Sequence, residues 1–298
     1  MKDSYGRPVK SIRISVTEDC NLNCFYCHNE GQLPSKTIMS PEEIEQILSI
    51  AEMLGIRDVK FTGGEPLLRE DIIDIIRRAS KHMKDVSLTT NGTLLAPMAK
   101  KLYDAGLNRI NVSLDSSDRE KYKKITGKDM LDKVLDGISA AVEAGLYPVK
   151  VNIVALSDDI EDMMKTVKDV WRMGAMPQII ELVNVGETTS PNILRIEKFI
   201  ASRAIKVRER NMHRRKIYTL KDDNGCPREV EIVRPMHNTE FCANCTRIRV
   251  TSGGMLKPCL MHNQGLVDIL TPLRKGAGRE ELVMLFKKAI MNRFPYWR

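Results

Sequence analysis

Three cysteines in one short stretch are the residues of this chain best suited to metal chemistry. Cys20, Cys24 and Cys27 follow the spacing C-x3-C-x2-C. Thiolates are the usual protein ligands of iron–sulfur clusters, and their spacing determines which kind of cluster forms. Three thiolates on one loop can bind three irons of a four-iron cluster and leave the fourth iron open to another ligand. The spacing also speaks against a disulfide framework, because three neighbouring cysteines cannot all pair with one another.

A zinc site is the main alternative interpretation of this stretch, and three unrelated free thiols are another. Structural zinc usually takes four protein ligands, often from C-x2-C pairs. His28, directly after Cys27, could complete such a set. The motifs that follow along the chain favour the iron–sulfur interpretation.

The composition predicts a globular protein that is large enough for a full hydrophobic core and has no membrane-spanning segment. The chain has 298 residues, of which 42% are hydrophobic. No apolar run approaches the length needed to span a bilayer, and the first residues lack the apolar core of a signal peptide. Seven cysteines without an export signal predict a cytoplasmic location, where thiols stay reduced and serve metals or catalysis.

Positive charge is concentrated in the last third of the chain. Residues 201–298 hold 20 Lys and Arg against 9 Asp and Glu, whereas residues 1–200 hold 27 against 30. This asymmetry predicts an anionic ligand near the C-terminal region. A small polyphosphate is favoured over nucleic acid, because the region has no aromatic-rich strand on which bases could stack. We expect no nucleic-acid or membrane partner, and a homodimer is one candidate assembly.

Strand-like and helix-like segments alternate through the first two-thirds of the chain. The predicted strands are 11–16, 57–62, 85–90, 109–114, 149–156 and 178–183. The predicted helices are 41–54, 70–81, 98–105, 132–144, 160–172 and 193–206. Such alternation implies parallel strands with right-handed crossovers. Six units are too few for a closed eight-fold barrel, so we predict an α/β fold with a partial, open (β/α)6 TIM-like barrel.

The alternation predicts two regions, residues 1–206 as the barrel and residues 207–298 as an extension that covers its open side. The extension contains four cysteines and short strand candidates at 216–220 and 229–233.

Four chemically suggestive loops each follow a predicted strand of the barrel. They are the cysteine loop, Gly63-Gly64-Glu65-Pro66, Asn91-Gly92 and Asp115. Active sites of barrel folds gather at the C-terminal ends of the strands. We therefore expect these loops to form a single site.

Two of these motifs together resemble the radical S-adenosylmethionine superfamily: the cysteine loop, with Tyr26 before its third cysteine, and Gly63-Gly64-Glu65-Pro66. The resemblance implies that the open iron binds S-adenosylmethionine through its amino and carboxyl groups. It also implies that one electron from the cluster cleaves this cofactor to methionine and a 5′-deoxyadenosyl radical, which removes hydrogen from a substrate. The cofactor supplies the radical, and the protein supplies orientation.

A second set of cysteines indicates one family within this superfamily. Cys242, Cys245 and Cys259, together with Thr89-Thr90-Asn91-Gly92 and Asn111–Ser116, resemble the GTP 3′,8-cyclase family. That family performs the first step of molybdenum cofactor biosynthesis. The resemblance runs over about residues 7–260 and implies GTP as substrate, two [4Fe–4S] clusters and S-adenosylmethionine as cofactors, and an electron donor as partner.

The resemblance also implies roles for matching positions in this chain. The first cluster would be bound by Cys20, Cys24 and Cys27, and the second, whose open iron would hold guanine, by Cys242, Cys245 and Cys259. S-adenosylmethionine would contact Tyr26, Gly64 and Ser113. GTP would contact Arg13, Lys60, Thr89, Lys150, Arg247 and Arg249. Such cations are needed to compensate a triphosphate in a partly dry site.

Some positions depart from the family pattern. The chain ends Phe294-Pro295-Tyr296-Trp297-Arg298 in place of the usual Gly-Gly tail. Lys60 stands where arginine is usual, and Val183 where methionine often contacts the cofactor. Cys226 matches no family role, so we predict a free thiol.

Two rival functions stay open at this point. A radical enzyme that modifies peptides could also carry an auxiliary cluster, although a peptide does not need the charges of Arg247 and Arg249. A zinc-containing RNA-binding protein could use the basic extension. Binding of GTP distinguishes the first rival, and metal analysis distinguishes the second.

Overall fold

A single β-sheet organises the chain in the computed structural model, which describes residues 1–183 and 193–297. Its twelve strands among these residues are β1 Ser11–Ser15, β2 Asp58–Thr62, β3 Asp85–Thr90, β4 Arg109–Ser113, β5 Val149–Ala155, β6 Met176–Glu181, β7 Lys206–Glu209, β8 Lys216–Lys221, β9 Pro227–Val233, β10 Arg247–Val250, β11 Met255–Lys257 and β12 Val267–Asp268. Their order in the sheet is β12-β11-β10-β1-β2-β3-β4-β5-β6-β9-β8-β7. The sheet is therefore open, with β12 and β7 at its two ends.

The centre of the sheet is parallel and its ends are antiparallel. β1 to β6 pair in chain order, and β10 and β9 join them as parallel neighbours of β1 and β6. β11 and β12 at one end, and β8 and β7 at the other, pair antiparallel. The predicted partial, open α/β barrel is confirmed, because helices connect successive parallel strands.

Ten α-helices lie within the described residues. They are α1 Pro41–Met53, α2 Ile72–Ala79, α3 Ala99–Asp104, α4 Arg119–Thr126, α5 Leu131–Glu143, α6 Ile160–Arg172, α7 Ile193–Ala201, α8 Thr239–Ala243, α9 Leu270–Arg274 and α10 Arg279–Met291. No helix of this part of the chain is long and apolar enough to cross a membrane.

The start of α1 shows how local sequence defines an element. Ser40 accepts a hydrogen bond from the Glu43 backbone N–H, and the Glu43 side chain accepts one from the Ser40 N–H. Pro41 occupies the first helical position, where a missing N–H breaks no helical bond. This reciprocal cap confirms the predicted helix start.

Alternation along the parallel strands separates the core from a cavity. Successive side chains of a strand point to opposite faces. One face is apolar and fully buried, as Ile12, Phe61 and Val112 illustrate. The intervening residues, such as Arg13 and Lys60, are polar and line a cavity on the other face. The hydrophobic core thus lies between sheet and helices, and the concave face is left for a ligand.

Several predicted bounds were wrong for identifiable reasons. The sixth strand begins at Met176, because Met176 and Pro177 already pair with β5. The helix predicted to reach residue 206 ends at Ala201, because Lys206 pairs with Thr219 in an antiparallel hairpin.

The extension contributes strands to the same sheet as the barrel. Its strands lengthen the sheet at both ends, and β9 and β10 are direct parallel neighbours of barrel strands. Helices α4, α8, α9 and α10 were absent from the prediction. In the tail, Arg298 lies outside the described residues.

Candidate active site between two cysteine trios

The first cysteine trio, Cys20, Cys24 and Cys27, lies on the loop after β1. All three are free thiols; Cys20 and Cys27 are exposed and Cys24 is half-buried. Backbone N–H groups of Asn23 and Phe25 donate to carbonyls at the end of α4. Burial, followed by the neighbouring Asp115, raises the pKa of Cys24 to about 12. The loop is thus anchored by its backbone while its thiols stay accessible.

Gly63 and Gly64 hold this loop by close backbone contact. A Cβ atom at Gly64 would lie 2.2 Å from the Asp19 carbonyl oxygen, and one at Gly63 would lie 2.5 Å from the Thr17 carbonyl oxygen. Gly64 N–H donates to Thr17 O at 2.9 Å. Any side chain would push the two loops apart, so the glycines allow the loop after β2 to seat the cysteine loop.

Glu65 connects the loops after β2 and β3. Its fully buried carboxylate accepts from Thr90 Oγ1 at 2.7 Å, Asn91 N–H at 2.6 Å and Leu67 N–H at 2.9 Å. Asn91 Nδ2 in turn donates to Asn21 Oδ1 at 2.7 Å and lies 3.9 Å from Cys20 Sγ. The cysteine loop is therefore fixed through amides and a buried carboxylate.

Tyr26 is fixed on the opposite side of the loop by Asp115. Its hydroxyl donates to Asp115 Oδ2 at 2.5 Å, and Asp115 Oδ1 accepts from the Val154 N–H at 2.8 Å. Burial raises the pKa of Asp115 to about 6. Tyr26 and Ser113, both predicted to contact S-adenosylmethionine, line one cavity. Gly64, the third predicted contact, packs against the cysteine loop and is not part of the cavity wall.

This cavity occupies the concave face of the sheet, with a volume of about 370 Å³. Every residue predicted to contact GTP lies on its wall: Arg13, Lys60, Thr89, Lys150, Arg247 and Arg249. Val183 and the three cysteines of the second trio, Cys242, Cys245 and Cys259, also line it. The first trio adjoins it through Tyr26.

Strand register brings the central cations together. Arg13 of β1 is paired with Arg249 of β10 on one side and with Lys60 of β2 on the other. Arg247 lies two residues before Arg249 and faces the same side, as predicted. Residues far apart in sequence thus form one basic row across three strands.

Positive charge on the cavity wall exceeds the negative charge there. The Lys and Arg side chains of the wall are Arg7, Arg13, Lys60, Arg109, Lys150, Arg210, Arg215, Arg247, Arg249 and Arg293, against the carboxylates Glu30 and Asp58. Burial lowers the pKa of Lys60 well below its usual value, and neighbouring arginines lower it further. The pKa of Arg247 is also well below its usual value, because burial and then the charges of Arg13 and Arg249 lower it. Such crowding favours an anionic ligand that offsets the repulsion.

Two carboxylates neutralise part of this charge. Burial acts to raise the pKa of Glu30, but Arg13 and Arg249 outweigh it and bring that pKa to about 2. Glu231 forms a buried ion pair with Lys150 and lies 3.2 Å from Arg215. Lys150 therefore has a structural partner in addition to its place on the cavity wall.

The second cysteine trio is held by buried charges that sequence reasoning missed. Arg7 Nη1 donates to the Cys242 carbonyl at 2.9 Å, and Arg293 Nη2 donates to the Cys245 carbonyl at 2.6 Å. Asp3 lies between the two arginines, 2.8 Å from Arg7 Nε and 3.1 Å from Arg293 Nη1. No local pattern could reveal this network, because its members lie at opposite ends of the chain.

The chemistry of both trios fits iron–sulfur ligation. Each offers three unpaired thiols on neighbouring segments, and polar hydrogens approach the sulfur of Cys20 from Leu22 N–H and Asn91 Nδ2. Burial alone would raise the pKa of Cys245, but Arg293 and Arg249 outweigh burial and lower it. A thiolate, the form that binds metal, is thereby favoured. Cys226, in contrast, is an exposed free thiol away from both trios.

Comparison with known protein families agrees with this arrangement. Residues 14–170 match the family model described as Radical SAM superfamily, and residues 178–298 match Molybdenum Cofactor Synthesis C. A relative from Pyrococcus abyssi named "Probable GTP 3',8-cyclase" is 49% identical over 99% of both chains. A relative of the same name from Pyrococcus horikoshii is 48% identical over 99% of this chain and 97% of its own.

This chain belongs to the GTP 3′,8-cyclase family of the radical SAM superfamily. Membership implies a [4Fe–4S] cluster and bound S-adenosylmethionine, and it favours the iron–sulfur interpretation of the first trio over the zinc interpretation. Among solved structures, Streptococcus suis SuiB bound to S-adenosylmethionine superposes with a TM-score of 0.68 at 17% identity, over 89% of this chain and 64% of that chain. This likeness confirms the fold.

Proposed function

We propose that this protein is a radical enzyme that converts GTP to 3′,8-cyclo-7,8-dihydro-GTP, the first step of molybdenum cofactor biosynthesis. The observation that carries the proposal is the half-buried basic row of Arg13, Lys60, Arg247 and Arg249 between the two cysteine trios. The names of relatives that match nearly the whole chain support the same substrate.

The two ends of the cavity are proposed to hold different ligands. Cys20, Cys24 and Cys27 would bind the cluster that, with S-adenosylmethionine, supplies a hydrogen-abstracting radical. Tyr26, fixed by Asp115, and Ser113 would orient that cofactor, and Gly64 would shape the loop beside it. A second [4Fe–4S] cluster on Cys242, Cys245 and Cys259 would hold the guanine base.

The protein's own contribution to the reaction is positioning, charge compensation and exclusion of water. Arg13, Lys60, Arg247 and Arg249 would bind the triphosphate, with Lys150 and Thr89 at the edge of the same wall. Fixing GTP at both its base and its phosphates would hold ribose C3′ toward the first trio and C8 near C3′. This orientation would favour hydrogen removal at C3′ and ring closure to C8 over loss of the radical to solvent, and one electron from the external donor together with one proton would complete the product.

Release of 5′-deoxyadenosine tests the proposal. The reconstituted holoenzyme is incubated anaerobically with S-adenosylmethionine, a strong one-electron reductant and either GTP or ATP. We expect release of 5′-deoxyadenosine and formation of the cyclised nucleotide with GTP and not with ATP. Release that does not depend on GTP would contradict the proposal, and binding of a peptide in place of GTP would favour the peptide-modifying rival. We also propose that the protein is cytoplasmic and that an external donor supplies its electrons.

A further inference from the structure

The C-terminal tail, Phe294–Trp297, contacts the second cysteine trio directly. The backbone N–H groups of Tyr296 and Trp297 face the sulfur of Cys242 and act against the burial that raises the pKa of its thiol. Tail residues Phe294, Tyr296 and Trp297 line the cavity together with Cys242. The tail therefore touches a proposed metal ligand with its backbone and the substrate cavity with its rings.

The rings of the tail pack against two histidines that flank the trio, one in a tilted and one in a stacked arrangement. His237 precedes Cys242, and its ring lies 4.1 Å from that of Trp297. His262 follows Cys259, and its ring lies parallel to Phe294 at 4.4 Å between centroids. Tyr296 packs edge-on against Trp297 at 4.8 Å. Offset or edge-on aromatic contacts of this kind stabilise a fixed arrangement.

These ring contacts connect two segments of the chain, and the three cysteines come together only if these segments keep their relative positions. Cys242 and Cys245 lie on and after α8, whereas Cys259 follows β11, and the tail packs its rings against the histidine beside each segment. At the root of the tail, the buried Arg293 donates to the Cys245 carbonyl at 2.6 Å. The tail thus bridges the two cysteine-bearing segments and is anchored where it begins.

We propose that Phe294–Trp297 is a clasp that holds the second cysteine trio in its metal-binding arrangement. The residues of the clasp are positioning residues, because they act through Cys242 and the two flanking histidines. This inference rests on the part of the proposed function that assigns a second cluster to Cys242, Cys245 and Cys259. Hydrogen bonds to a ligand sulfur are one factor that tunes the reduction potential of a cluster, so the N–H groups of the clasp that face Cys242 would shift the potential of the second cluster.

Iron release tests the clasp without any need for GTP turnover. Holoenzyme truncated after Arg293 is compared with the full chain during anaerobic exposure to an iron chelator, with the two clusters distinguished by electron paramagnetic resonance. We expect the second cluster to lose iron about tenfold faster after truncation, while the first cluster is unaffected. This factor corresponds to about 1.4 kcal/mol.

Two matched pairs of variants distinguish a clasp from general stabilisation. His262→Phe keeps a flat ring against Phe294 and should retain iron like the full chain, whereas His262→Ala should lose it several-fold faster. Trp297→Ala and Trp297→Pro both remove the indole, but only the proline removes the backbone N–H that faces the sulfur of Cys242. The proline variant should therefore show a lower reduction potential of the second cluster than the alanine variant.

The outcomes separate failure of the clasp from failure of the proposed function. Equal iron release from the full and truncated chains, loss of both clusters at the same rate, or equal potentials of the two Trp297 variants would overturn the clasp. Full-length protein that binds about four irons per chain, when two clusters need about eight, would remove the second cluster and the clasp with it. Two intact clusters without GTP-dependent 5′-deoxyadenosine would contradict the proposed substrate and leave the clasp supported by faster iron release.

Discussion

The first cysteine trio lies on an exposed loop held by amides and the buried carboxylate of Glu65, whereas the second lies against the buried Arg7 and Arg293. Burial and Asp115 raise the pKa of Cys24 to about 12, while Arg293 and Arg249 lower the pKa of Cys245. The same ligand type therefore sits in opposite electrostatic surroundings. A carboxylate therefore acts on a thiol of the first trio, whereas arginines act on a thiol of the second.

Separate substitutions in the two trios should have the largest effects and test whether the regions are independent. Cys24→Ser and Cys245→Ser should each lower the iron content from about eight to about four per chain, because each removes a ligand of only one cluster. Iron and sulfide analysis with electron paramagnetic resonance checks this. Loss of all iron from either variant, with native circular dichroism retained, would show that the two regions are coupled.

The buried charges beneath the second trio make the next largest contribution. Asp3→Ala should lower the free energy of unfolding by about 3–5 kcal/mol, because it leaves two buried arginines without their carboxylate. Denaturant unfolding measures this change. Asp104→Ala, which breaks an exposed pair with Lys100, is the control and should cost at most about 1 kcal/mol. Equal effects of the two substitutions would contradict the structural role of Asp3.

A corresponding test in the first region targets Glu65. Glu65→Gln should destabilise the fold by about 1–3 kcal/mol, because an amide cannot accept all three hydrogen bonds from Leu67, Thr90 and Asn91. Thermal unfolding measures the loss, and the exposed Glu143→Gln is the control. The variant should also retain less iron at the first trio. Preferential iron loss at the second trio would be inconsistent with the assigned contacts.

The smallest expected effect is a pH dependence at the edge of the basic row. Burial lowers the pKa of Lys150 to about 8, although Glu231 opposes the shift. Lys150 is charged below this pH and loses its charge above it, so GTP affinity should fall by up to about tenfold between pH 7 and 9. Lys150→Arg should reduce this fall, because a guanidinium stays protonated. Equilibrium binding across this range gives the answer, and an unchanged profile in the variant would exclude Lys150 as a phosphate contact.

Sequence reasoning predicted the barrel better than the extension because the two differ in element length. The parallel strands β1 to β6 have five to seven residues, enough for alternation to show. Strands β11 and β12 have three and two residues, too few for any periodicity. Helix α10 could have been predicted from the sequence, because its buried face repeats at helical spacing. The residues of this face are Leu282, Phe286, Ala289 and Ile290.

The residues of the site also differ in whether they could be predicted from the sequence. Arg13, Lys60 and Arg249 were named from motifs, and strand register then placed them side by side. The Asp3, Arg7 and Arg293 network was missed, because it joins the first residues of the chain to the last and leaves no local pattern. Gly64 was predicted as a cofactor contact, whereas the visible reason for glycine there is the 2.2 Å approach to the Asp19 carbonyl.

Binding of GTP to the anaerobic holoenzyme tests most directly whether the basic row holds the nucleotide. We predict that Arg247→Ala weakens GTP binding by about 100-fold, as expected for loss of a charged hydrogen bond to phosphate in a half-buried site, and leaves S-adenosylmethionine binding unchanged. Arg208→Ala removes the same charge from an exposed pair with Glu229 and should leave GTP binding as it is. Equal GTP affinities of the Arg247 and Arg208 variants would contradict the account.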